Sequence, residues 1–259
     1  MRTLVSLLAL LLLPPMATAH DYWIESTLKP AGREQRLRSR LYLGDGLKVE
    51  EEQPYKPARA SDFRLYLDDR EIDLRPSAPA IRTPMLDMPF TGKAALLRLD
   101  RTPAFLDSDA AAFAHNLEHE EQLAAFPFAL PKRAIRERYT RYLKSLVGSG
   151  ARLHAHTTGQ RLELILLDNP IASRVGSTIR VQARLDGKPM GRAALVAYRR
   201  DASGRITSQR IRTDASGETR FRLDGTGLWL VRMMHLRPCR RDCAEVQWES
   251  FWASYSFRR

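Results

Sequence analysis

Alternating apolar and polar positions mark strands along most of the chain. Between Arg36 and Leu43 the apolar residues Leu37, Leu41 and Leu43 stand among polar ones, ahead of a turn at Gly44-Asp45-Gly46. Phe63 to Leu67 and Glu71 to Leu74 flank Asp68-Asp69-Arg70, which predicts a hairpin. Ala94 to Leu99 is a further apolar strand, and prolines at 54, 57, 76, 79, 84 and 89 predict loops between these segments.

The pattern changes near residue 105. Asp107-Ser108-Asp109 offers side-chain oxygens to cap a helix running from Ala110 to Leu123. Pro131 then stands at the start of a second predicted helix, Lys132 to Val147. There Ile135, Tyr139, Tyr142, Leu143 and Leu146 fall on one face at helical spacing, and Gly148-Ser149-Gly150 ends it. From residue 160 strands return: Arg161 to Leu167, Thr178 to Leu185, Ala193 to Arg199, Ile206 to Arg212, Thr219 to Leu223, Leu228 to Leu236 and Val246 to Phe257. Seven strands with short turns predict an immunoglobulin-like sandwich, although the inter-sheet disulfide of antibody domains is absent. The expected fold is therefore mainly β. An N-terminal β-domain (20–104) is joined by a helical connector (105–150) to a C-terminal immunoglobulin-like β-sandwich (151–259).

Residues 1–19 predict a cleavable export signal. Arg2 is the positive start, Leu4 to Leu13 form an apolar run too short for a membrane span, and Ala17-Thr18-Ala19 is a cleavage triplet. The expected location is the periplasm. No other apolar run is long enough to cross a bilayer as a helix, so the mature chain is expected to have no transmembrane span. The formal net charge is +12. The arginines are scattered rather than clustered, and no nucleic-acid motif is present, so nucleic acid is not an expected partner. Anionic envelope surfaces suit this charge better. In an oxidising compartment Cys239 and Cys243, four positions apart, predict a local disulfide, with a soft-metal site as the alternative.

Cleavage after Ala19 makes His20 the first residue. An N-terminal histidine offers both an imidazole nitrogen and an α-amine of modest basicity, which together chelate one cation. Such nitrogens suit copper, nickel, zinc and cobalt. Two further pairs have metal-compatible spacing: His115 and His119 on one helix face, and His154 and His156 on one face of an extended segment. A solvated helix face accounts better for the first. The first pair lacks the glutamate of a zinc-protease signature, since Asn116 follows His115. No nucleophile elbow or phosphate loop is present, so the expectation is a protein that is not an enzyme.

Several segments together resemble a known family. They are His20-Asp21-Tyr22-Trp23-Ile24-Glu25, Arg138 to Leu146, Asp186-Gly187-Lys188-Pro189, and Thr213-Asp214-Ala215-Ser216-Gly217. Gly227-Leu228-Trp229-Leu230-Val231 leading to His235, and Trp248 to Phe257, complete the set. In this order they resemble an exported bacterial family of unknown function that includes NikM-like and NikK-like periplasmic components of nickel and cobalt uptake. The resemblance implies a periplasmic protein with a transition-metal role, and His20 and His235 match the family's two histidines. Together these would supply three nitrogens, an arrangement suited to Cu(II) or Ni(II). Met233 and Met234 are possible thioether donors, with core packing as the alternative. The implied partner is an inner-membrane metal transporter or an outer-membrane receptor.

The function expected is thus transition-metal binding in nickel, cobalt or copper traffic. Two alternatives stay open. One is a metal-free module binding carbohydrate or protein through Trp229, Trp248 and Trp252. The other is a copper-dependent oxidative enzyme using the same N-terminal histidine.

Overall fold

Strands occupy even more of the chain than the alternation predicts. The structure, a computed structural model, describes residues 20–32, 34–78, 81–120, 122, 126, 128–150 and 152–259, so the predicted export signal at 1–19 lies outside the described residues. The first half contains β1 (Asp21–Ala31), β2 (Glu34–Asp45), β3 (Lys48–Gln53), β4 (Ala60–Tyr66), β5 (Glu71–Asp73), β6 (Leu86–Phe90), β7 (Ala94–Arg101) and β8 (Ala104–Ser108). A helix α1 (Ala110–His119) and a long strand β9 (Ile135–Gly148) follow. The second half contains β10 (Leu162–Leu166), β11 (Thr178–Leu185), β12 (Lys188–Pro189), β13 (Ala194–Arg200), β14 (Ile206–Arg212), β15 (Glu218–Arg222), β16 (Leu228–Pro238) and β17 (Trp248–Arg258).

These strands form three sheets. β14-β13-β16-β17-β9-β7-β4-β5 run side by side, with β8 also on β9, as one nine-stranded sheet. A four-stranded sheet of β1, β2, β3 and β6 covers one half of it, and a second of β10, β11, β12 and β15 covers the other. In the C-terminal half β11 lies between β10 and β15, opposite the row β14-β13-β16-β17. That is the strand order of an immunoglobulin-like sandwich. Trp229 and Phe257 stack with ring centroids 6.1 Å apart in its core, beside Phe221, so Trp229 is a packing residue and offers no face to a sugar.

The predicted second helix is a correction. Residues 135–148 form β9, which pairs antiparallel with β7 and parallel with β17 and so fuses the two halves into one sheet. Residues 142–147 are all buried. Tyr142 and Leu146 enter the C-terminal core, while Leu143 and Val147 enter the core beneath β1 and β2. A strand covered on both faces loses the alternation that would identify it, and apolar positions at 135, 139, 142, 143 and 146 then satisfy the helical period by coincidence. The 105–150 segment is therefore the edge strand β8, a short helix and a central strand, not a helical connector.

The first predicted helix does form, with Asp109 as its N-cap accepting from the Ala112 N–H at 2.7 Å. It ends at His119, and Leu123 lies outside the described residues. Phe113 and Leu117 bury its inner face against Ile135 and Trp248. Cys239 and Cys243 are joined as a disulfide. No helix among the described residues is long and apolar enough to cross a membrane.

Candidate functional site

The start of β1 is pinned by a buried charge network. Asp21 Oδ1 lies 2.9 Å from Arg232 Nε, and its other oxygen accepts the Gly46 N–H at 3.0 Å. The Arg232 guanidinium also donates to Glu120, just past the end of α1, and to the Tyr198 hydroxyl at 3.4 Å. His119 Nδ1 stands 3.2 Å from Glu120. Asp21, Glu120 and Arg232 are each no more than 6% exposed. Burial pushes the Asp21 carboxyl up to about 6, with Arg232 opposing the shift. Burial pushes Glu120 the same way, but the His119 hydrogen bond and Arg232 outweigh it and hold Glu120 below its ordinary value.

His20 immediately precedes this anchor. Its carbonyl accepts a hydrogen bond from Arg141 Nη2 at 2.9 Å. Its ring Nδ1 lies 2.7 Å from Glu50 Oε2, with 32% and 41% of the two side chains exposed. Glu50 reaches that position because β2 and β3 shift register at Leu43/Gly44: Leu43 pairs with Glu51 and Gly44 with Val49, leaving Glu50 as the extra residue of a bulge. Glycine is required at 44, where an added Cβ would overlap the Lys48 carbonyl.

His235 is not brought to His20. On β16 the side chains alternate: Trp229, Val231 and Met233 enter the C-terminal core, while Arg232 reaches Asp21 on the opposite side. His235 shares the first face, so the backbone of β16 stands between it and the His20 end of β1. Met233 is core packing on that face, and Met234, on the other, is also buried. The His235 ring has its pKa lowered to about 4 by burial, then by Arg237 and Arg240. Such an imidazole refuses in the folded state a proton that the unfolded chain accepts. Between pH 6.5, the ordinary value, and about 4, falling pH therefore favours unfolding. A tenfold difference in proton affinity corresponds to about 1.4 kcal/mol, and for this part-exposed ring an acid loss of roughly 1–2 kcal/mol is expected. His235→Gln should remove that part of the slope in urea titrations at pH 6.5 and 4.5; an unchanged slope would assign the acid sensitivity elsewhere.

The other histidine pairs gain no third ligand among the described residues. His115 and His119 are both exposed on α1, and His119 is engaged with Glu120. His154 lies in a short 3-10 turn (Leu153–Ala155), so the segment is not extended as expected. His156 packs on Tyr66 with centroids 4.5 Å apart. Burial lowers the pKa of both rings. Among the described residues no three His, Cys, Asp or Glu side chains cluster as a metal site. Side chains at the His20 corner thus supply two donors, imidazole and carboxylate. Two ligands held at about 2.1 Å and at right angles on one metal stand roughly 3 Å apart, close to the 2.7 Å observed between Nδ1 and Oε2. A third donor there is the α-amine that processing at Ala19 would free. The residues fit a transition metal on that condition.

Glu50, Arg141 and the Asp21–Arg232–Glu120 network are absent from the sequence-based expectations. Glu120 and Arg232 are 112 positions apart, and no local pattern links them. Glu50 stands in an acidic run, Glu50-Glu51-Glu52, where only the bulge distinguishes it.

No curated protein matches this chain. A family model does, over residues 17–237: it carries the description "Domain of unknown function (DUF4198)". With His20, Glu50 and the network behind them all inside the matched span, the chain belongs to the DUF4198 family.

Proposed function

We propose that this protein binds a transition metal ion in the periplasm, as a non-enzymatic accessory of nickel, cobalt or copper traffic, with His20 at the centre of the site. The observation that carries the reading is the His20–Glu50 corner, held at the end of a strand fixed by buried charge. The α-amine and ring nitrogen of His20 form a chelate, and Glu50 takes the third position that the family resemblance assigned to His235. Nitrogen-rich donors of this kind favour the later divalent metals, copper and nickel above cobalt. The half-exposed setting suits a metal that is received and passed on rather than locked away. A NikM-like or NikK-like role beside an inner-membrane transporter or outer-membrane receptor is part of this proposal, as is export through residues 1–19.

The test is a Ni(II) and Cu(II) titration of the processed chain and its variants. His20→Ala is expected to abolish tight binding. Glu50→Gln keeps the shape but weakens the third ligand, and loses more than about tenfold in affinity, since even outer-shell partners are worth roughly 10–100-fold. His235→Gln leaves affinity unchanged. If His20→Ala binds as well as the parent chain, the reading fails.

A further inference from the structure

A cleft lies behind His20, on the Tyr22 side of β1. It is narrow and is lined by Arg59, Arg101 and Arg141 together with Tyr22, Tyr139 and Thr102. Several arginines elsewhere in the chain meet carboxylates: Arg36 and Arg38 share Asp87, Arg98 holds Asp100, and Arg237 holds Glu249. Here they meet rings and one another. Arg101 and Arg141 lie 4.7 and 4.4 Å from the centre of the Tyr22 ring, and Arg141 also lies 4.8 Å from that of Tyr139. Among the described residues none of the three arginines forms an ion pair with a carboxylate. The acids whose charge reaches Arg141 are Asp21 and Glu137, and these are engaged by Arg232 and Ser250.

The cost of this arrangement is visible in two ways. Burial lowers the pKa of Arg101, and repulsion from Arg141 and Arg59 lowers it further. Arg141 spends Nη2 on the His20 carbonyl, but its Nε is buried with no hydrogen-bond partner. A buried charged donor without an acceptor is costly unless something occupies it. The rings cover the guanidinium faces of Arg101 and Arg141, so a ligand would meet these groups at their in-plane N–H edges. Those edges match the paired oxygens of a carboxylate or phosphate.

We propose that the cleft bounded by Arg59, Arg101 and Arg141 binds a small oxyanion carrying more than one negative charge, of the dicarboxylate or phosphate class. Three neighbouring cations, none of them ion-paired with a carboxylate among the described residues, favour a multiply charged ligand over chloride or a monocarboxylate. Arg141 spans the cleft and the His20 carbonyl, so an anion seated there also braces the start of β1. This site does not depend on the metal reading, and its ligand is held by different residues.

The experiment is calorimetric titration of the metal-free, full processed chain at neutral pH with inorganic phosphate and with malonate, at fixed ionic strength and with chloride as reference. Saturable binding of one equivalent is expected, weakened at least tenfold by Arg101→Gln and by Arg59→Gln. Arg220→Gln removes the same charge from an exposed position on β15 and leaves affinity unchanged. Circular dichroism establishes that each variant is folded. Binding of both anions supports a general oxyanion site, and binding of one supports the site and fixes its class. No saturable binding of either anion, or equal weakening by Arg220→Gln, overturns the proposal and leaves only general attraction to a basic protein.

Discussion

Arg232→Met is expected to destabilise the protein by about 3–5 kcal/mol, because it leaves two buried carboxylates facing each other without their shared cation. Methionine fills much of the same volume, so the loss reports charge rather than a cavity. Asp21 and Glu120 come from opposite ends of the first half of the chain, and Arg232 from the middle of β16. The network therefore holds β1 and the end of α1 against the nine-stranded sheet. Arg232→Lys should recover only part of the loss, since an ammonium cannot serve Asp21, Glu120 and Tyr198 with one rigid fork. Urea denaturation followed by tryptophan fluorescence measures both. A loss under about 1 kcal/mol for Arg232→Met would place the network among weak, solvated ion pairs.

Lys144→Met is expected to be similarly costly, about 3–5 kcal/mol, by the same uncompensated-charge argument applied in the other core. Lys144 is 1% exposed, on β9, and its ammonium reaches Glu163 on β10 at 2.5 Å and the Leu164 carbonyl at 3.1 Å. Burial lowers its pKa to about 8 against the opposing pull of Glu163. Glu163 also accepts from the Thr158 hydroxyl at 2.9 Å and the Gly159 N–H at 3.2 Å, so the pair fixes the loop ahead of β10 as well. The double variant Lys144→Met, Glu163→Leu removes both charges and should recover most of the loss, as buried pairs replaced by apolar groups usually do. A double variant no more stable than Lys144→Met would show that the cost lies in repacking rather than in charge.

Much of the architecture is legible in the sequence, and the failures have physical causes. Strands with one covered face read correctly: β14 alternates exposed and half-buried positions along its length, and Leu37 and Leu41 on β2 point into one core. β9 fails because both its faces are covered, and because Lys144 and Ser145, both buried, look in sequence like a polar break. The turn at Asp186-Gly187 is legible because both residues adopt positive φ, 50° and 77°, a conformation that Asp and Gly tolerate. The candidate site is legible only at His20. Its partner Glu50 depends on a bulge, and its anchor depends on residues brought together by strand order across the whole chain. His235 fails as a partner for a simpler reason. The period of two on β16 places it with Trp229, and the strand that reaches Asp21 does so through Arg232, on the other face.

The most direct measurement compares Ni(II) and Cu(II) affinity of the chain beginning at His20 with the same chain carrying one added alanine before it. The N-terminus of each is verified by mass spectrometry. The addition keeps the imidazole and Glu50 in place and removes only the α-amine of His20 from the donor set. If His20 chelates the metal, the chain that begins there binds one equivalent tightly. The extended chain then loses more than about a hundredfold in affinity, beyond what outer-shell changes produce. Equal affinity in the two chains would contradict metal chelation at the N-terminus and return His20 to a surface histidine paired with Glu50.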